Sequence, residues 1–163
     1  GDAAYHRASK LAAWKTILRF LMLRSDGRAM GLADFWHDVD TNWGRNAGDY
    51  YAPEGVYSSG KLHLEGREAI QGFYSWREDR GERVAVHAYS NFRAEFDDAG
   101  GATANWYMLL WAADGAAPRE STAPTLISRA TETFRWDEDA QRWLCTRREL
   151  INLFKGGAQL NFT

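Results

Sequence analysis

What this chain has little of narrows its class before any motif is read. It has a single cysteine, Cys145, so no disulfide can close within it, and a reducing, cytoplasmic setting is the expectation. Neither sign of charge dominates: 20 basic and 22 acidic residues leave a formal net charge of -2. A nucleic-acid binder normally carries a basic face to neutralise phosphates, so none is expected as a partner. The most apolar run, residues 17–23, is interrupted by Arg19 and ends at Arg24. That is far short of the roughly 20 residues a bilayer span needs, and no small-residue cleavage site follows it. Repeats and low-complexity stretches are absent. So is G-x-S-x-G, and Cys145 lacks a local nucleophile signature, which argues against covalent catalysis. Without G-x-G-x-x-G or a Walker loop, a nucleotide cofactor has no motif to hold it, and no cofactor is expected.

What the chain has in excess is aromatic surface: 14% of its 163 residues, eight of them tryptophan. Tryptophan buries a large rigid area and still offers an N–H, which suits a pocket for a flat apolar ligand as well as a core or an oligomer interface. With 45% hydrophobic and 26% charged residues, the length suits one domain with a substantial core.

Leu11, Trp14, Leu18, Leu21 and Met22 mark one face of a helix over 5–24, opposite Arg7, Lys10, Lys15 and Arg24. Residues 1–30 therefore read as an extra N-terminal helix, 31–155 as the domain and 156–163 as a tail. Leu32, Phe35, Trp36 and Val39 predict a short amphipathic helix that delivers Asp40 near its end. Asn42 is placed to cap a second helix through Trp43, Ala47, Tyr50 and Tyr51, which Pro53 stops. A strand follows from Val56, then a short alternation at 61–64 and a helix from Gly66 to about Gly81. Two hairpins complete the domain, 83–96 with 102–112 and 125–136 with 141–150. Helices first and a long meander second predict an α+β domain, a curved antiparallel sheet packed by N-terminal helices.

Pairing the first hairpin with Phe96 opposite Ala102 sorts its side chains. His87, Tyr89 and Asn91 then share a face with Tyr107 and Trp111, a mixture of rings and polar groups of the kind that binds ligands. The opposite face carries Phe92, Trp106, Met108 and Leu110, an apolar patch expected to drive self-association into a dimer or trimer. Histidines 6, 37, 63 and 87 are scattered. His37 and Asp40 stand at i and i+3, but without further ligands at a recognisable spacing no metal is expected. Proton transfer is the chemistry that remains.

Four pieces carry a resemblance. Asp40 stands thirteen residues before Pro53 of an Ala-Pro-Glu-Gly-Val stretch; Gly66-Arg67-Glu68-Ala69-Ile70 opens a helix; and Val86-His87-Ala88-Tyr89-Ser90-Asn91 holds an H-x-x-x-N strand. In this order, from about Gly31 to Leu150, they resemble the SnoaL-like and scytalone-dehydratase-like branch of the nuclear transport factor 2 superfamily. The resemblance implies a cone-shaped barrel, open at one end, with the ligand cavity between the sheet and the helices. It also implies an acid/base dyad, which falls on Asp40 and His87. Asp26, which also follows a long apolar helix, is the rival acid.

The chain departs from the dehydratase pattern. Ala112 stands where a second strand histidine is expected, Ser59 where a tyrosine is, and Val39 precedes the acid in place of a tyrosine. No Ser-x-Asn pair is found around 129–131, so scytalone itself is not the expected substrate. Tyr57, Tyr107 and Asn91 are candidates to replace lost donors, and Arg129 is a candidate for an anionic phenolate or carboxylate. The resemblance implies a cofactor-independent lyase or isomerase acting on a small aromatic, polyketide-like or terpenoid molecule by dehydration or related elimination, C–C cleavage included. An aldol cyclase, a non-catalytic carrier of hydrophobic ligands, and a subunit like the small subunits of ring-hydroxylating dioxygenases remain alternatives.

Overall fold

The computed structural model describes residues 31–156. The segment read as a helix over 5–24, Asp26, and residues 157–163 lie outside the described residues. The order of elements is α1 (Leu32–Asn42), one 3₁₀ turn (Ala47–Tyr50), β1 (Tyr51–Ser59), β2 (Leu62–Glu65), α2 (Arg67–Asp79), β3 (Arg83–Phe96), β4 (Gly101–Asp114), β5 (Leu126–Asp137) and β6 (Arg142–Lys155). The six strands form one sheet in the order β2-β1-β6-β5-β4-β3. The α+β class read from the sequence is the class observed. The sheet is mixed, however, because β6 returns to lie parallel to β1, and it does not close: β2 and β3 are its edges.

The helix expected from Asn42 shrinks to the single 3₁₀ turn, for a local reason. Asn42 gives its amide to Asp38 Oδ1 (2.7 Å) and so caps nothing. Buried Asp38 also takes the Asn46 backbone N–H (3.1 Å) and the Asn46 amide (2.8 Å), folding the chain back into a part-buried turn. Trp43 ends α1 in the left-handed region at φ 62. Gly44 follows at φ +69, where a Cβ would stand 2.6 Å from Tyr74 Cδ1, so only glycine lets α2 pack this close. Pro53, expected to stop a helix, lies inside β1. The ladder to β6 passes from Tyr51↔Cys145 to Val56↔Arg147, and the N–H that proline lacks falls in that gap.

The first hairpin closes as read, Phe96 opposite Ala102, and Arg93 opposite Asn105 keeps the same register. Between Ser90 and Arg93 the register shifts, with Asn91 at φ 53. Beyond this bulge Tyr89 faces Met108, His87 faces Leu110 and Val86 faces Trp111. One extra residue has turned the far half of β3 over relative to the sequence reading. His87 and Tyr89 therefore share the inner face with Trp106, Met108 and Leu110, which are buried within this one chain. Tyr107 and Trp111 lie on the outer face.

The patch expected to drive self-association is thus internal. The outer face carries exposed apolar side chains of its own, Val86, Tyr107, Ile151 and Phe154, the last at 67%, with Arg129 between Tyr107 and Ile151. We propose that self-association uses this outer face, since several exposed large apolar side chains on one face mark an interaction site. Sedimentation velocity at micromolar concentration is expected to give a dimer or larger, and Ile151→Glu with Phe154→Glu a monomer. A monomeric parent chain overturns the proposal.

Candidate active site

The end of α1 and the middle of β3 meet at Asp40 and His87. Asp40 Oδ1 lies 2.6 Å from His87 Nδ1, and Asp40 Oδ2 accepts the backbone N–H of His87 at 2.8 Å. One carboxylate thus holds both the ring and the strand beneath it. A carboxylate only accepts, so Nδ1 carries the hydrogen and Nε2 is the basic nitrogen. The side chains are 17% and 12% exposed, desolvated enough to strengthen the bond without closing it fully to solvent. The indole of Trp36, one helical turn before Asp40, stacks on the imidazole with ring centroids 4.3 Å apart.

Deeper along the inner face lies a charged pair. Arg148 on β6 and Glu132 on β5 are directly opposed, joined through Arg148 Nε and Glu132 Oε1, and 1% and 0% exposed. The Arg148 guanidinium carbon lies 3.8 Å from the centre of the Phe35 ring, 5.0 Å from Trp36 and 5.3 Å from Tyr51. Burial pushes the Glu132 carboxyl up, with the guanidinium and the Trp106 indole pulling against it. For Arg148, burial acts downward, but the Glu132 carboxylate leads the groups that more than offset it. Burial also raises the phenols of Tyr57 and Tyr74, so both stay neutral donors. It raises the Cys145 thiol too, which leaves that residue without nucleophilic character.

The sequence candidates separate. Tyr57 is buried on the inner face beside Arg148, and Tyr89, partly exposed, shares that face with His87. Asn91 is the bulge residue itself, exposed and spent on redirecting the strand. Trp111 has turned outward and gives its Nε1 hydrogen to the Thr122 carbonyl at 3.0 Å. Tyr107 and Arg129 face each other across β4 and β5 on the outer face, so neither lines a site with His87. His63 is on the surface between Ser58 (2.8 Å) and Glu65 (2.9 Å), and His37 is exposed. Among the described residues no three His, Cys, Asp or Glu side chains gather to hold a metal ion, and no helix is long and apolar enough to cross a membrane.

Register adds one pair that sequence reading missed. Ser128 and Asn152 oppose each other in the row that also holds Met108 and Tyr89, with the Ser128 hydroxyl donating to Asn152 Oδ1 at 2.8 Å. A serine and an asparagine were sought within one strand, at 129–131. Here two strands supply them, and only cross-strand register could have revealed it.

The fold is an open α+β sheet on whose inner face His87 meets Asp40 of α1, and comparison with solved structures agrees on the fold. A proposed scytalone dehydratase from Novosphingobium aromaticivorans superposes with a TM-score of 0.71 at 16% identity, over 95% of this chain and 93% of its own. ActVI-ORFA from Streptomyces coelicolor gives 0.61 at 12% identity, covering 74% and 90%. A proposed aromatic ring hydroxylase from Novosphingobium aromaticivorans gives 0.60 at 20%, covering 74% and 82%. No family model matches the chain, and no curated protein does. The resemblance read from Asp40, Pro53, Gly66 and His87 thus holds at the level of the fold, which these solved structures share.

The buried pair gives a stability test. Arg148→Met strands the Glu132 carboxylate and should cost about 3–5 kcal/mol, read from the denaturation midpoint. Losing the guanidinium raises the Glu132 carboxyl further in the folded state than in the unfolded chain. The folded variant then binds the extra proton, so its stability falls as pH rises and recovers on acidification. The deficit is expected to be largest at neutral pH, and Glu132→Leu with Arg148→Met should be more stable than either single variant.

Proposed function

We propose that this domain is a cofactor-independent lyase or isomerase acting by proton transfer on a small aromatic, polyketide-like or terpenoid molecule. The Asp40–His87 pair carries the reading. His87 Nε2 takes a proton from a carbon next to an activating carbonyl or arene, and Asp40 stabilises the cationic ring and keeps its orientation. The electron pair of the broken C–H bond becomes the new C=C bond as the C–O bond on the neighbouring carbon breaks. The proton held by His87 passes to the departing oxygen, which leaves as water. The neutral phenols of Tyr57 and Tyr74 and the Ser128–Asn152 pair supply hydrogen-bonding groups on or against the inner face, among apolar rings suited to a flat substrate. The fold shared with a proposed scytalone dehydratase supports the same reading.

Binding is tested first. Titration with phenolic and polyketide-like compounds is expected to quench tryptophan fluorescence, because Trp36 and Trp106 sit beside the dyad. Unchanged emission across the panel counts against an aromatic ligand. With a turned-over compound in hand, His87→Gln should lower the rate by about 10²–10⁴-fold with little change in binding. Asp40→Asn should lower the rate, since an amide no longer fixes the tautomer and orientation of the ring. Asp26→Asn, the control, should leave the rate unchanged. Wild-type turnover in His87→Gln would falsify the acid/base reading, and a carrier would bind while turning nothing over.

A further inference from the structure

Asp40 fixes only one edge of the His87 ring. Its bonds reach Nδ1 and the backbone N–H. A ring tied at Nδ1 can still tilt about that bond, and Nε2, on the far side, moves most when it does. Trp36 supplies the missing constraint. Its indole lies 15° from parallel to the imidazole at a centroid distance of 4.3 Å. The indole in turn has little freedom: it is buried, meets Trp106 edge-on at 6.1 Å, and lies 5.0 Å from the Arg148 guanidinium carbon. The stack also survives a change of charge, because an aromatic face attracts a cation.

We infer that Trp36 is a positioning residue for His87, its indole plane setting the tilt of the imidazole and hence the place of Nε2. Reactive groups must be held to within a fraction of an ångström to work, and packing against a rigid neighbour is how a side chain is held that closely. The functional meaning of the inference rests on the acid/base reading above, but its geometry is tested independently.

The test is the imidazole C–H spectrum of the isotopically labelled protein, with the His87 signals identified by their loss in His87→Gln. Protons over an indole face are shielded, so the His87 signals are expected upfield of those of the exposed His37 and His63. Trp36→Leu keeps an apolar side chain but removes the plane, and should move them downfield into the range of the exposed histidines. Trp36→Phe restores a plane and should recover part of the upfield displacement. On a turned-over compound, Trp36→Leu is expected to lower kcat more than it raises KM, with Trp36→Phe intermediate.

His87 signals that are not upfield in the parent protein, or that stay upfield in a folded Trp36→Leu, overturn the inference. If Trp36→Leu does not fold, the parent spectrum and Trp36→Phe decide, an unchanged displacement in Trp36→Phe counting against it. Signals that move as expected while Asp40→Asn and His87→Gln keep full turnover would remove the acid/base reading and leave the positioning intact. The reverse pattern would remove the positioning and leave the acid/base reading.

Discussion

A guanidinium at 1% exposure has to be answered from every side, and much of this interior is arranged around that requirement at Arg148. Glu132 answers its charge from the next strand, and the rings of Phe35, Trp36 and Tyr51 gather around it. Two of those rings are consecutive residues of α1, so the contact seats the helix on the sheet. Seating α1 at Phe35 and Trp36 brings Asp40, one turn further on, to His87. A hydrophobic replacement of the ion pair could match it in stability. What the pair adds is direction: a cation attracts the ring faces that surround it, whereas an aliphatic core would accept the helix in several rotations.

The bulge at Asn91 has comparable reach. Alternation along β3 and β4 is plain in the sequence, and so is the turn at Gly100-Gly101, which is why the hairpin and its near register were readable. One added residue reverses the meaning of alternation beyond it. Trp106, read as surface, is core, and Trp111, read as pocket lining, faces outward. Asn91 is compatible with the positive φ that such a bulge can require, but asparagines are common in strands for other reasons, and period alone does not announce an insertion.

Spacing and resemblance point to Asp40 and His87, and His87 lies on the side of the bulge where the cross-strand neighbours differ from those read. The two side chains meet all the same, because their contact depends on where α1 and β3 lie and not on the company they keep. Tyr107, Trp111 and Arg129 were chosen by company, and the register separates them from His87. The sequence shows Trp36 only as part of an apolar helix face, since nothing in an i, i+3, i+4 pattern distinguishes a core tryptophan from one that stacks on a histidine. The 3₁₀ turn after α1 was hidden for a similar reason: Asn42 has the chemistry of a cap, and only the fold shows that Asp38 already uses it.

Three ion-pairing or hydrogen-bonded pairs of the same kinds of groups occupy three depths, and depth assigns their roles. Glu65 and His63 meet at 2.9 Å with side chains 76% and 53% exposed, where water and salt screen the contact and it contributes little. Glu132 and Arg148 are closed to solvent, and their charges act only on each other and on the rings around them. Asp40 and His87, at 17% and 12%, lie between these limits. At that depth a carboxylate can still orient an imidazole strongly, because little water competes for it, while the ring is not wholly closed to solvent. Proton transfer needs both conditions at once, and among these three pairs only this one meets them.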